Sequence, residues 1–424
     1  MVAFSKLFKD GIETGLCCNE LVHSGPCTTN ILINSYKFLI SNMKHFAPVT
    51  GLPLLVHLRS LNKEVLLSTL QYYIETVVCG AATGWTIAVM ICVLRNLFGK
   101  FGYYTFLFWP TVIGSYSLWA IPSPRAHRLF NTSVFQCTIE SFIMKQKNFL
   151  TKSIARSNLL RTFIFMGCSG LIMNAKRERT FKGFWFLEPT PCAARELSQV
   201  DKSPTETEIS IEHANSNSCS HTNKSCTRYA MEGVRNYMII GVTLDIIKML
   251  VAQTTTDRND FIAKLIAKLK MFRIRSCALL TAYVALYRLL HCYLNRNKGG
   301  DSTQNHTVAA ILSGSCFIFY PKLTVLCYAL VMGIQISWQH FKSHVTSERY
   351  KDNFLWINQL PCARVIYPVA LGYLVNTYCT RPHYISPLGA TIINGLTNNY
   401  AKTINGRIVL LEKQLESSLP NTNV

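Results

Sequence analysis

Cysteine is the residue of this chain with the most chemistry in reserve: there are 16. Cys79, Cys92, Cys137, Cys168, Cys316, Cys327 and Cys379 fall inside apolar runs, where a thiol behaves as a small buried hydrophobe. Two groups stand apart, the adjacent Cys17 and Cys18 with Cys27 further on, and Cys219 with Cys226 in a polar stretch. Soft thiolate donors of this kind serve metal binding or redox exchange. Neither group has a tight CxxC partner, so free or structural thiols are the stronger expectation, with no metal ligand assigned. The sequence also lacks HExxH, GxSxG, P-loop and dinucleotide-binding glycine patterns, so no catalytic residue, no cofactor and no enzyme activity is expected. Pro382-His383-Tyr384 reads as a helix-ending turn.

Ionisable residues inside apolar stretches offer a second chemistry. Lys44, Glu75, Glu140 and Asp245 would suit a polar path through a transporter or channel, because an ionisable group in hydrocarbon must snorkel, pair or face a cavity. Placement at helix ends is the plainer reading for each.

The elements that must hold these residues are strongly apolar. Hydrophobic residues make up 49% and charged residues 15% of the chain, against roughly 25% charged in ordinary soluble domains. The charge that remains is basic, with a formal net charge of +21. It falls in short clusters between apolar runs instead of forming one basic domain, which argues against nucleic acid and for anionic lipid headgroups as partners. The amino terminus, with Lys6, Lys9, Asp10 and Glu13 and breaks at Gly11 and Gly15, lacks the apolar core of a signal peptide. The sequons at Asn131, Asn223 and Asn305 carry weight only with lumenal exposure.

These patterns predict an all-α fold, a polytopic membrane helix bundle. The strongest span is Thr76 to Leu94, uncharged and ending at Arg95, close to the ~20 residues that cross a hydrocarbon core. Phe101 to Pro124 is the second, rich in Tyr and Trp, with Pro110 and Gly114 able to bend it. Gly99 then permits the reversal between them and Lys100 reaches headgroups or an acidic partner. Weaker candidates are Phe38 to Leu58, Leu129 to Ile143, Thr162 to Ala175, Tyr237 to Leu250, Ser276 to Tyr293, Thr307 to Pro321, Leu323 to Gln339 and Val365 to Thr380. Together they suggest about six spans. FIAKLIAKLKMFRIR, which starts at Phe261, reads as a basic amphipathic helix suited to an interface.

A composition shift to Pro, Ser, Thr, Asn and Glu marks the main boundary. The expected organisation is a Cys-rich membrane region over 1–187, a flexible polar linker over 188–228, a second membrane region over 229–382 and a tail over 383–424. VIGSYSLWAIPSPRAHRLF from Val112 can be set beside ILSGSCFIFYPKLTVLCYA from Ile311, a faint repeat that raises the reading of two duplicated halves.

Several blocks carry a family resemblance. Cys17 or Cys18, His23 and Pro26-Cys27 look like a C…H…PC opening. SYKFLISNMKHFAPVTGLPLLVHLRS, ICVLRNLFGKFGYY with GSYSLW, HTVAAILSGSCFIFYPKLTVLCYAL and TRPHYISPL follow in order. In these blocks the chain resembles the transmembrane protein 135 family. It departs from that pattern at Pro122 to Arg128, which lack the family's acid, and at Asp301 and His306, which replace its acidic start.

The resemblance implies a non-enzymatic multi-pass protein of peroxisomal or mitochondrial membranes. Its implied roles are organelle organisation, including regulation of mitochondrial fission, and lipid homeostasis. The implied partners are membrane lipids and the organelle-division machinery. Transport of a lipid-related metabolite or an ion is the alternative expectation.

Overall fold

The computed structural model describes residues 8, 12–13, 16–56, 62–181, 183–189, 225–251, 275–298, 301–345 and 362–418. All regular structure among them is helical. In chain order the α-helices are α1 (Cys18–Leu21), α2 (Cys27–Val56), α3 (Lys63–Phe98), α4 (Phe108–Gly114), α5 (Pro124–Met144), α6 (Phe149–Arg156), α7 (Asn158–Arg177), α8 (Cys226–Val251), α9 (Arg275–Lys298), α10 (Thr303–Ser313), α11 (Leu323–Val345), α12 (Cys362–Thr380), α13 (Pro387–Leu396) and α14 (Tyr400–Ser418). Single 3₁₀ segments follow α4 (Ser115–Ala120), α10 (Gly314–Phe319) and α12 (Pro382–Tyr384). Residues 190–224 of the expected 188–228 linker, and the basic amphipathic stretch from Phe261 except its last residue, Arg275, lie outside the described residues.

Local sequence accounts for many of the boundaries. The Asn62 side chain accepts from the Lys63 N–H at the start of α3, and Gly99, at φ +70°, ends that helix in the left-handed region. Such a cap favours glycine because it has no Cβ to clash. Ser123 and Ser386 cap α5 and α13 by accepting from the backbone N–H of Ala126 and Gly389, each followed by a proline at the first helical position. Proline fits there because its missing donor would be unpaired in any case.

The chain forms two compact units, residues 1–151 with 359–424 and residues 152–358. In the first, α3 packs on α2, α4, α5 and the first 3₁₀ segment, while α12 packs on α4, α5 and α14. The core between them is built from Cys79, Ile87 and Ile91 of α3, Phe130 and Val134 of α5, Leu371 and Leu374 of α12, and Ile404 and Ile408 of α14. In the second, α7 packs on α10 and α11, and α9 on α8 and α10. Here Phe165 stacks on Phe317, with ring centroids 4.5 Å apart, and on Trp185, at 5.8 Å.

The second unit also buries a polar network. Arg177, at the end of α7, pairs with Asp301 at 3.1 Å and donates to the Ser302 carbonyl. His291 meets the other Asp301 oxygen at 3.1 Å, and Asn305 donates to the Asn295 side chain at 3.1 Å. Buried charge persists only when paired and hydrogen-bonded, so this cluster fixes the junction of α7, α9 and α10.

The polytopic expectation is overturned. Where about six crossings were expected, two described helices are long and apolar enough to cross a membrane, Lys63–Phe98 and Arg275–Asn297, and 50% and 44% of their most apolar windows are buried within the protein. Thr76 to Leu94 does lie inside the continuous helix α3. Phe101 to Pro124, however, is no single helix: turns occupy 103–107, α4 has 7 residues, and the chain then tightens into a 3₁₀ segment. The reason is steric. A Cβ at Gly114 would stand 2.7 Å from the Ile87 Cα, so this glycine lets α4 press directly on α3. Gly314 makes the same kind of break after α10, where a Cβ would stand 2.7 Å from the Met166 Cα. The two segments set side by side in the sequence thus share a local shape, an α-helix that narrows at a close-packed glycine.

The polar path is overturned as well. Lys44 is exposed and Glu140 is buried on α5. Glu75 accepts from Ser123 and from Gln71, so its carboxylate fastens the start of α5 to α3. The side chain of Asp245 lies outside the described residues.

Candidate metal centre

The site begins with the turn that precedes α2. The Cys17 N–H donates to Glu20 Oε2 at 2.9 Å, closing one short turn of helix over Cys18–Leu21. This turn buries Cys18, Leu21 and Val22 in the core of the first unit. The Cys18 carbonyl then accepts from both Val22 and His23, at 2.8 and 2.9 Å. Gly25, at φ +85°, reverses the chain, and Pro26 starts α2 by accepting from the Asn30 N–H at 3.0 Å. Cys18, His23 and Cys27 are thereby folded back on one another. The fourth member, Cys92, comes from the last turns of α3.

One ligand atom from each of Cys18, His23, Cys27 and Cys92 lies within 4.8 Å of all the others. Cys92 Sγ stands 3.4 Å from His23 Nε2. Cys18, His23 and Cys92 are buried, and Cys27 is half-buried. Among the described residues this is the one cluster of three or more His, Cys, Asp or Glu side chains that could hold a metal ion. Cys18, Cys27 and Cys92 are free thiols.

The electrostatics are those of several thiols sharing few protons. A hydrogen bond from Cys92 holds the Cys18 thiol down at about 7, with further help from Cys27 and the positive charge of Arg95. The Cys92 thiol is pushed up, first by that same bond to Cys18 and then by burial. Burial also raises Cys27 and lowers His23, favouring its neutral ring. A neutral imidazole and a pre-formed thiolate are the protonation states that a metal ion requires.

Arg95 lies one turn beyond Cys92 on α3 and donates through Nε to the Leu16 carbonyl at 3.4 Å. It also donates to the Gly99 carbonyl. The amino-terminal segment is fastened further by Lys100, which pairs with Glu13 at 2.7 Å, and by Arg407 of α14, which donates to the Asn19 carbonyl at 3.4 Å. Lys100 thus finds an acidic side chain as its partner.

The adjacent thiols Cys17 and Cys18 part company: Cys17 is exposed and Cys18 faces the cluster. Cys226 opens α8, half-buried, and Cys219 lies outside the described residues. Cys92 is the member that sequence reasoning placed with the apolar thiols. Its signal was weak, because only the packing of α3 against the folded-back turn brings it to His23. Pro382-His383-Tyr384 forms the expected turn, with the two rings 4.0 Å apart.

No family model, no curated protein and no solved structure matches the chain. The resemblance to the transmembrane protein 135 family is corrected on that finding. With it fall the expectations of peroxisomal or mitochondrial membrane localisation, of a part in fission, lipid homeostasis or transport, and of lipid headgroups and division machinery as partners. What stands in their place is a chain whose regular structure among the described residues is all helical, in two units that each bury polar side chains, one of which carries a Cys₃His cluster.

Proposed function

We propose that this chain is a metal-binding helical protein whose first unit is fastened by one Zn²⁺ ion held by Cys18, His23, Cys27 and Cys92. The observation that carries the reading is the convergence of four soft or borderline donors, all within 4.8 Å of one another, from a turn and two helices. Tetrahedral zinc with Zn–S near 2.3 Å needs sulfur atoms roughly 3.8 Å apart, so the cluster contracts only slightly to bind. Three thiolates and one neutral imidazole match the donor preference of zinc over hard cations.

Four protein donors close a tetrahedral shell and leave no position for water or substrate, which favours a structural role over a catalytic one. The complex would carry one net negative charge, and Arg95 supplies the nearby positive charge that offsets it. The ion joins the turn before α2 to the end of α3, a connection that the local sequence of neither segment makes by itself.

The test is metal content and cobalt substitution on the full-length protein. One zinc per chain, and a cobalt derivative with strong visible bands and sulfur-to-cobalt charge transfer, are the expected results. Protein that retains no zinc after purification in its presence, and that gives only octahedral cobalt spectra, overturns the reading.

A further inference from the structure

We infer that the same cluster is a peroxide-sensitive zinc switch, in which oxidation of Cys27 with one of the two buried thiols forms a disulfide and expels the ion; this rests on the zinc reading above. Three of the four donors are sulfur, and the three Sγ atoms fall within 4.8 Å of one another. A disulfide requires its sulfurs to close to about 2.05 Å, an approach of less than about 3 Å from this starting distance. The cluster therefore has two alternative closed states, one made by a metal and one by a covalent bond.

Within the cluster, exposure decides which sulfur is oxidised first. Cys18 and Cys92 are 5% and 3% exposed, whereas Cys27 is half-buried at the first position of α2. The oxidant is a hydroperoxide, small enough to reach a half-buried sulfur. The Cys27 thiolate attacks one peroxide oxygen, the O–O bond breaks, and sulfenic acid and hydroxide result. The thiolate of Cys18 or Cys92 then attacks the sulfenic sulfur, the S–O bond breaks, and a second hydroxide leaves. Two thiolates have given two electrons to the peroxide. The remaining sulfur and His23 cannot hold zinc tightly as a pair, so the ion departs. A dithiol reductant reverses the bond and returns both electrons.

Cys17 supplies an internal control. It is exposed and adjacent to Cys18, yet it is not among the clustered donors. If oxidation simply followed exposure, Cys17 would carry the reaction.

The experiment uses zinc-loaded full-length protein titrated with hydrogen peroxide, with released zinc read by a chromophoric chelator and disulfides mapped by mass spectrometry. The expected result is loss of the bound zinc together with two thiols of the Cys18, Cys27 and Cys92 set, full recovery on adding dithiothreitol and zinc, and unchanged behaviour in Cys17→Ser. Zinc that stays bound while peroxide oxidises other thiols overturns the switch and leaves the metal centre standing. Zinc release that disappears in Cys17→Ser, or a mapped disulfide containing Cys17, also overturns it. Protein with no zinc at the outset fails the metal reading itself.

Discussion

Cys92 Sγ lies 3.4 Å from His23 Nε2, across 69 positions of sequence. Nothing local to either residue brings them together; the contact exists because α3 packs against the turn that precedes α2. Replacing Cys92 should therefore separate the two segments energetically as well as remove a donor. Cys92→Ala is expected to lower zinc content from one per chain to a small fraction, and to weaken zinc affinity at least 100-fold. Cys79→Ala, which removes a fully buried thiol of the same helix outside the cluster, should leave zinc content unchanged. Equal zinc content in the two variants would contradict the assignment.

Arg95 should act on the site through charge and through position. Its guanidinium favours the Cys18 thiolate and holds the Leu16 carbonyl. Arg95→Lys keeps the charge but loses the guanidinium fork, while Arg95→Gln loses the charge. Zinc affinity measured by chelator competition should fall in the order wild type, Arg95→Lys, Arg95→Gln, because only the last removes the positive charge that favours the Cys18 thiolate. A cobalt spectrum unchanged in shape would separate this positioning role from loss of a ligand.

The sequence disclosed elements more readily than the partnership between them. Helical character over Thr76 to Leu94 and over Val365 to Thr380 was legible, because long apolar runs bounded by Arg95 and Arg381 have few other solutions. What misled was the inference from apolar content to hydrocarbon. In this fold the faces of α3 and α9 are covered in part by protein, and polar groups such as Thr76, Thr83 and Ser169 are buried with them. The opening Cys18, Cys27 and His23 were visible as residues, yet the fourth donor was hidden inside a long apolar helix. A tertiary contact across 69 positions leaves no trace in spacing. Gly114 was legible as a bend in the second candidate span, whereas the break at Gly314 escaped, since it depends on the backbone of a neighbouring helix.

Glycine substitutions provide a test of the packing. A Cβ at Gly84 would stand 1.8 Å from the Leu396 carbonyl oxygen, a backbone atom that cannot rotate away. Gly84→Ala should destabilise the first unit by about 3 kcal/mol or more, beyond the usual cost of overpacking. Gly167, on an exposed turn of α7, has nothing within 4 Å of its Cβ position. Gly167→Ala should stabilise by roughly 0.5–1 kcal/mol through helix propensity. Urea midpoints that shift in the same direction for both variants would contradict this packing.

His306 makes a prediction about pH whose sign follows from its hydrogen bonds. Its Nε2 faces the Met173 carbonyl at 3.0 Å, and a carbonyl only accepts, so Nε2 carries the proton. Nδ1 is then the acceptor for the Tyr287 hydroxyl at 2.6 Å. Both ring nitrogens are satisfied in the neutral form, and burial holds the folded-state value down at about 4, below the ordinary 6.5. Above pH 6.5 neither folded nor unfolded chain protonates this ring, and its contribution to stability is complete. As the pH falls from 6.5 towards 4, the unfolded chain takes up a proton that the folded chain refuses, so up to about 3 kcal/mol is lost. Asp301, held low first by its bond to His291, gives up its contribution only in more acidic solution, below the ordinary carboxylate range. His23 and His45 in the first unit are lowered by burial too, so wild type must be compared with His306→Gln. The variant should be less stable at pH 7 and show a shallower fall in urea midpoint between pH 6.5 and 4; parallel profiles would mean that folded and unfolded chains protonate His306 alike.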